Sequence, residues 1–214
     1  MALFQLDPHS IATRVRASGQ PVPLPTLRAS ILRGMLGFTI VSVAGFLPWP
    51  IIDRWLPAWR EMHLYTACTV IFIGLSGVCL HRLILGPGSL PRFYKLFTLS
   101  FIAYAVGWIA LWVALRDTAG VIVGGLAGTA AMGAILSLAF DTPRTMPKVI
   151  ATLFILHTLG YSLGEWIALK LIVDHRLTAV VLWGLFYGLG FGAGLGAAFH
   201  FCQAQAREMI RESQ

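Results

Sequence analysis

Residues 178–199 read TAVVLWGLFYGLGFGAGLGAAF, a run of 22 residues without a charged side chain. Glycines recur in this run at every fourth position: Gly184, Gly188, Gly192 and Gly196. A membrane-crossing helix needs about 20 mostly apolar residues. The four-residue spacing places the glycines on one face of such a helix, where small residues let a second helix approach closely. The stretch therefore predicts a transmembrane helix that packs tightly on a neighbour.

Five further stretches have the same character. Residues 34–52, 64–80, 96–115 and 118–140 carry no charge, and 149–172 contains only Glu165 and Lys170. Barrel strands would alternate apolar and polar residues in segments of about ten, which these stretches do not. We predict an all-α membrane protein with six transmembrane helices, called spans 1 to 6 in chain order. Residues 1–27 would form an N-terminal segment, 28–202 the transmembrane domain and 203–214 a C-terminal tail.

The composition of the whole chain agrees with this class. Of the 214 residues, 12% are charged and 57% are hydrophobic, against about 25% charged in soluble domains. The mean hydropathy is +0.76. These values exclude a soluble globular domain and a disordered chain. The net charge of +7 is scattered between apolar runs, so no nucleic-acid-binding face is expected.

The basic residues predict the orientation, because cytoplasmic loops of membrane proteins are enriched in lysine and arginine. With a cytoplasmic N-terminus, eleven basic residues fall in inner segments and five in outer segments. We therefore expect an integral protein of a bacterial inner membrane with both termini cytoplasmic. The outer five are Arg54, Arg60, Arg116, Lys170 and Arg176.

A weak internal repeat relates the odd-numbered spans. Twelve residues after each of three basic residues, Arg33, Lys95 and Lys148, comes a glycine, and each glycine precedes an aromatic residue. The pattern predicts three parallel two-helix hairpins, at about 28–81, 95–141 and 148–200, around a pseudo-threefold axis. The alternative is coincidence, since glycine occurs 22 times in the chain.

A second glycine row lies in span 4, where Gly120, Gly124 and Gly128 repeat the four-residue spacing of span 6. Rows of this kind usually form packing seams between helices. The alternatives are a narrow pore lined by backbone and an interface with a second copy or another membrane protein.

Polar residues inside spans are candidate functional sites. His157, Tyr161 and Glu165 follow each other at four-residue spacing in span 5 and share one face of the helix. They predict a polar stripe that borders a cavity or a proton path. Two simpler roles remain open: Glu165 pairs with Lys170 or an arginine near the headgroups, and His157 makes an interhelical hydrogen bond.

A second set lies where spans 2, 4 and 6 end. If the hairpins repeat, His81, Asp141 and His200 occupy equivalent places, continue the small-residue faces of their helices and converge on the axis. Two histidines with a carboxylate are ligands that metals accept. The alternative is that they are ordinary polar residues at helix ends.

Three functions compete on these grounds. The first is a channel or transporter for a small solute, and the second is a non-catalytic subunit that docks on membrane partners through its glycine faces. The third is an intramembrane metal enzyme, which the absence of a Gly-x-Ser-x-Gly, phosphate-loop or dinucleotide motif disfavours. The lipid bilayer is the one partner that the sequence requires, and it names no cofactor.

Overall fold

A computed structural model describes residues 3–19, 23–52 and 60–213. Arg54 of the predicted outer charges lies outside these ranges. The described residues form helices and short 3-10 turns, with no β-strand. The helices are α1 (Pro8–Ala17), α2 (Leu27–Phe46), α3 (Pro48–Ile52), α4 (Arg60–Leu80), α5 (Ser89–Leu115), α6 (Thr118–Ala139), α7 (Met146–Leu171), α8 (Arg176–Cys202) and α9 (Ala204–Arg211).

Six of these helices are long and apolar enough to cross a membrane. They are α2, α4, α5, α6, α7 and α8, which correspond to spans 1 to 6, so the prediction of six such helices is confirmed. The helix α5 begins at Ser89, six residues before Lys95, and its first turns therefore carry Arg92 and Lys95. By the length and composition of these helices, the fold is that of a multi-pass membrane protein.

Local sequence explains the tight turn between α5 and α6. Arg116 ends α5 in the left-handed conformation, with φ of 52°. The Asp117 carboxylate then accepts a hydrogen bond from the backbone N–H of Gly120 at 2.9 Å and satisfies a free donor at the start of α6. Only two residues separate the helices, so α5 and α6 form an antiparallel hairpin.

The six long helices form a ring in chain order. Each contacts the next one along the chain, and α8 closes the ring by packing extensively on both α7 and α2. The contact between α4 and α5 is sparse by comparison. A threefold relation among the hairpins stays a prediction.

Both terminal segments contain helices, and these lie at the same end of the ring, the termini end. There α1 contacts α9, and the Arg16 guanidinium donates to the carbonyl oxygen of Met209 at 3.0 Å. Leu6 and Ile11 are fully buried. The opposite end, which carries the α5–α6 and α7–α8 turns, is called the far end below. In the predicted orientation the termini end is cytoplasmic.

Phenylalanines fill the half of the ring next to the termini end. Phe93 stacks on Phe97 with ring centroids 5.2 Å apart, and Phe199 lies 5.7 Å from Phe93. All three are at most 1% exposed. Halfway along the bundle axis, the side chain of Phe191 in α8 contacts that of Phe38 in α2, with ring centroids 5.1 Å apart. The centre of the bundle is therefore closed from its middle to the termini end.

Candidate functional site

The glycine row of α8 lies directly against α2. A β-carbon built on Gly184 would stand 3.0 Å from the Cα of Val43, and one on Gly192 would stand 3.0 Å from the Cα of Met35. Gly188 and Gly196 meet the backbone of Thr39 and Ile31 in the same way. Side chains at these positions would overlap the backbone of α2, so the row brings two helix backbones together.

The row in α6 is equally enclosed. Gly120, Gly124 and Gly128 face the α5 backbone at Trp112, Trp108 and Tyr104 respectively. The predicted glycine faces of spans 4 and 6 are thus covered by helices of the same chain. A membrane partner or a second copy would have to dock on another surface.

The residues of the predicted metal set do not come together. Among the described residues, no group of three or more His, Cys, Asp or Glu side chains is placed to hold a metal ion. The His81 ring is 2.9 Å from the Ser89 hydroxyl, and His200 is 3.4 Å from that of Ser30. Asp141 lies beyond the end of α6 with φ of 55°, so it does not continue the helix face that the convergence required.

His157 is buried in the middle of the ring, at the end of a hydrogen-bonded chain of three side chains. The Tyr104 hydroxyl lies 2.6 Å from His157 Nε2 and 3.2 Å from the Tyr187 hydroxyl. The three residues belong to α7, α5 and α8, so the chain ties these helices together at mid-depth. His157 does make the interhelical contact that the sequence left open as the simpler role.

Beyond these three side chains, towards the far end, the bundle surrounds a partly open cavity of about 350 Å³. The described residues of its wall come from α2, α3, α4, α5, α7 and α8, and ten of these sixteen residues are aromatic. Trp108 and Trp112 of α5 stack at 5.8 Å on one side. Phe46 and Trp183 stack at 5.5 Å on another. A space of this size and lining suits a small organic molecule.

Tyr161 and Glu165 of the predicted stripe both line this cavity. The Tyr161 hydroxyl donates to Glu165 Oε1 at 3.4 Å, and this is the polar contact that the described residues give the carboxylate. Lys170, the sequence candidate for pairing, instead holds its ammonium group 3.5 Å from the centroid of the Trp166 ring. Glu165 therefore presents a carboxylate to an aromatic chamber.

Buried polar atoms around the cavity lack partners in the described part of the chain. The indole nitrogens of Trp108 and Trp183 are buried without an acceptor, and His157 Nδ1 is buried without a partner. Buried donors are normally hydrogen-bonded, and an unpaired one costs free energy. Both indoles belong to residues of the cavity wall, but their N–H groups are buried in that wall and have no surface open to the cavity.

A wider depression of about 600 Å³ lies near the termini end, where Arg33 and Arg82 contribute to its wall. It shares no lining residue with the cavity, and the phenylalanine layers lie between the two. The cavity therefore does not connect to the termini end through the described bundle.

Tyr104, Tyr187 and the tryptophans were missed as site residues in the sequence. Their signal was a spacing of three or four: Phe101, Tyr104 and Trp108 in α5, and Trp183 and Tyr187 in α8. Such rows usually mark core packing. Only the three-dimensional arrangement separates the aromatic residues that fill the core from those that surround a space.

Comparison with protein-family models, with curated proteins and with solved structures finds no match to the chain.

Proposed function

We propose that this protein is a transporter that binds a small solute in the aromatic cavity and carries it across a bacterial inner membrane. The observation that carries the proposal is the cavity itself. It combines an aromatic wall, three tyrosines and the Glu165 carboxylate inside a ring of apolar helices. Polar and ionisable groups are costly within a bilayer, so their convergence on one chamber favours a solute site.

A transporter fits the closed bundle better than an open channel. Secondary transporters bind near the middle of the membrane and expose the site to one side at a time. Here the cavity lies towards the far end, while the Phe191 and Phe97 layers fill the other half. Opening towards the termini end would require these layers to separate.

The cavity wall is incomplete beside α5. Ile109 and Trp112 line the cavity and are 45% and 40% exposed, and α4 contacts α5 only sparsely. We propose that the solute enters between these two helices. A solute with an apolar body would reach this opening from the bilayer.

The alternative, a non-catalytic subunit docking through glycine faces, loses its main support because those faces are covered within the chain. A metal enzyme draws no support from the separated positions of His81, Asp141 and His200.

The test blocks the cavity and leaves the fold alone. Ala105 lines the cavity, and Ala105→Phe would fill it. Ala110 lies on the exposed side of the same helix and does not line the cavity, so Ala110→Phe is the matched control. Each protein is purified from the native membrane, and its bound small molecules are released and identified by mass spectrometry.

We expect a solute in the wild type and in Ala110→Phe that is absent from Ala105→Phe. Proteoliposomes should then take up that solute with the first two proteins and not with the third. Identical small-molecule extracts from all three proteins would overturn the proposed function.

A further inference from the structure

We infer that the solute class of this cavity is a monovalent organic cation, held between the aromatic wall and the Glu165 carboxylate. This inference rests on the proposed function and deepens it, because it names the charge of the solute. It follows from three observations: the aromatic character of the wall, the carboxylate of Glu165 in that wall, and the position of Lys170.

The aromatic wall favours a cation. The faces of tryptophan, tyrosine and phenylalanine rings carry negative electrostatic potential, and rings that surround a quaternary ammonium group bind it even where no hydrogen bond is made. Trp108 and Trp183 contribute from α5 and α8, and Tyr161 joins them with ring centroids 6.1 Å and 5.7 Å away. All three rings line the cavity, as does Glu165.

Glu165 gives the chamber its formal charge. Among the described residues that line the cavity, it is the only acidic or basic one. The contact it makes with Tyr161 is a hydrogen bond to a neutral group. Glu165 is partly buried, and a carboxylate in apolar surroundings is stabilised by a counter-charge, which a bound cation would supply.

The lysine nearest in sequence is not placed to do so. Lys170 lies five residues from Glu165 and is exposed, with its ammonium group over the Trp166 ring outside the cavity. This contact is itself a cation–π interaction. The described residues thus place no lysine or arginine in the wall of the chamber, and the solute would be the cation inside it.

The experiment compares a cation with a neutral molecule of the same shape. Choline and 3,3-dimethylbutan-1-ol differ only in the exchange of the charged nitrogen for carbon. Both are titrated into purified wild-type protein, with tryptophan fluorescence as the readout because Trp108, Trp112 and Trp183 line the cavity. The variants are Glu165→Gln, which keeps the shape of the side chain, and the control Asp174→Asn, which removes an exposed carboxylate from the α7–α8 turn.

We expect saturable binding of choline to the wild type and to Asp174→Asn, and about tenfold weaker binding to Glu165→Gln. Trp108→Leu should also weaken choline binding, since it removes a ring and not a charge. The neutral alcohol should bind the wild type about tenfold more weakly than choline and should be insensitive to Glu165→Gln.

Three results would overturn the inference. They are failure of choline to bind the wild type, equal binding of choline and the alcohol, and equal binding of choline to wild type and Glu165→Gln. If the alcohol binds and Ala105→Phe abolishes its binding, the solute site survives and only its charge preference is wrong. If Ala105→Phe changes neither probe binding nor the extracted solute, the proposed function fails as well.

Discussion

The two halves of the helix ring use the same residue types for opposite purposes. Near the termini end, Phe93 and Phe97 stack in register and exclude space. Near the far end, Trp108 and Trp112 of the same helix also stack, with ring centroids 5.8 Å apart, yet they form the wall of a cavity. Aromatic content alone thus does not separate a filled core from a binding chamber.

Hydrogen bonds between distant segments show the same contrast. At the termini end, the buried Gln203 side chain accepts from the backbone N–H of Leu85 at 2.8 Å and donates to the carbonyl oxygens of Leu83 and Phe199 at 2.8 and 2.9 Å. It fixes the turn after α4 to the end of α8. At the far end, the Trp108 and Trp183 indole groups are buried without an acceptor in the described chain. The buried Gln203 amide thus has its hydrogen bonds filled, whereas the two indole groups have none among the described residues.

We expect the largest effect at the contact between α2 and α8, where the backbones of two helices meet. Gly192→Leu adds a side chain where a β-carbon alone would stand 2.8 Å from the carbonyl carbon of Gly34. Helix backbones cannot separate there without opening the whole α2–α8 seam. We expect loss of monodisperse protein in detergent, measured by size-exclusion chromatography.

Gly74→Leu is the control for this substitution, because a β-carbon at Gly74 meets nothing within 4 Å. It should elute and melt like the wild type. Normal elution of Gly192→Leu would show that the α2–α8 seam does not set the fold.

An intermediate effect should separate the filled half from the open one. Phe97→Ala removes a ring that is 1% exposed from the packed layers and should lower the free energy of unfolding by about 3 kcal/mol. Phe72 borders the existing cavity and is 8% exposed, so its truncation extends an existing space and does not create a closed one. We expect Phe72→Ala to cost roughly half as much.

Unfolding of both variants in mixed micelles measures this difference. Equal losses in the free energy of unfolding would mean that the far half is packed as tightly as the termini half. A larger loss for Phe72→Ala would mean that the far half is the more tightly packed one.

How far the sequence predicts this molecule depends on the range of the interactions involved. The six helices follow from charge-free runs such as 178–199, because burial in lipid depends on local composition. The stripe of His157, Tyr161 and Glu165 follows from helical periodicity, and two of its members do line the cavity. These features are local in the chain.

Features that depend on contacts between helices could not be predicted from such local sequence patterns. The metal hypothesis assumed that α6 continues to Asp141, but the helix ends at Ala139 and the backbone turns at Asp141. His157 is hydrogen-bonded to Tyr104, 53 residues away along the chain, and Tyr104 is hydrogen-bonded in turn to Tyr187, 83 residues away from it. Spacing within one helix carries no information about such contacts.

The smallest effect concerns the boundary between the halves. Tyr104→Phe keeps the ring and removes the hydroxyl that lies 2.6 Å from His157 Nε2. The imidazole then loses its recorded partner inside the bundle, and a buried unpaired group costs about 1–2 kcal/mol. Tyr94→Phe is the matched control. Its hydroxyl donates to the carbonyl oxygen of Gly74 at 2.6 Å in an exposed setting, outside the packed bundle, so we expect a cost below about 0.5 kcal/mol.

Thermal unfolding of the two tyrosine variants compares these costs, and choline titration assigns the role of His157. If the chain of Tyr104 and His157 serves only to join helices, Tyr104→Phe lowers the melting temperature and leaves the affinity for choline unchanged. If His157 also shapes the floor of the cavity, both quantities fall together, because its ring would reorient below Tyr161. Equal melting temperatures for Tyr104→Phe and Tyr94→Phe would mean that the buried hydrogen bond contributes nothing to stability. The residues below the cavity would then be held in place only by the packing of aromatic rings around Phe191.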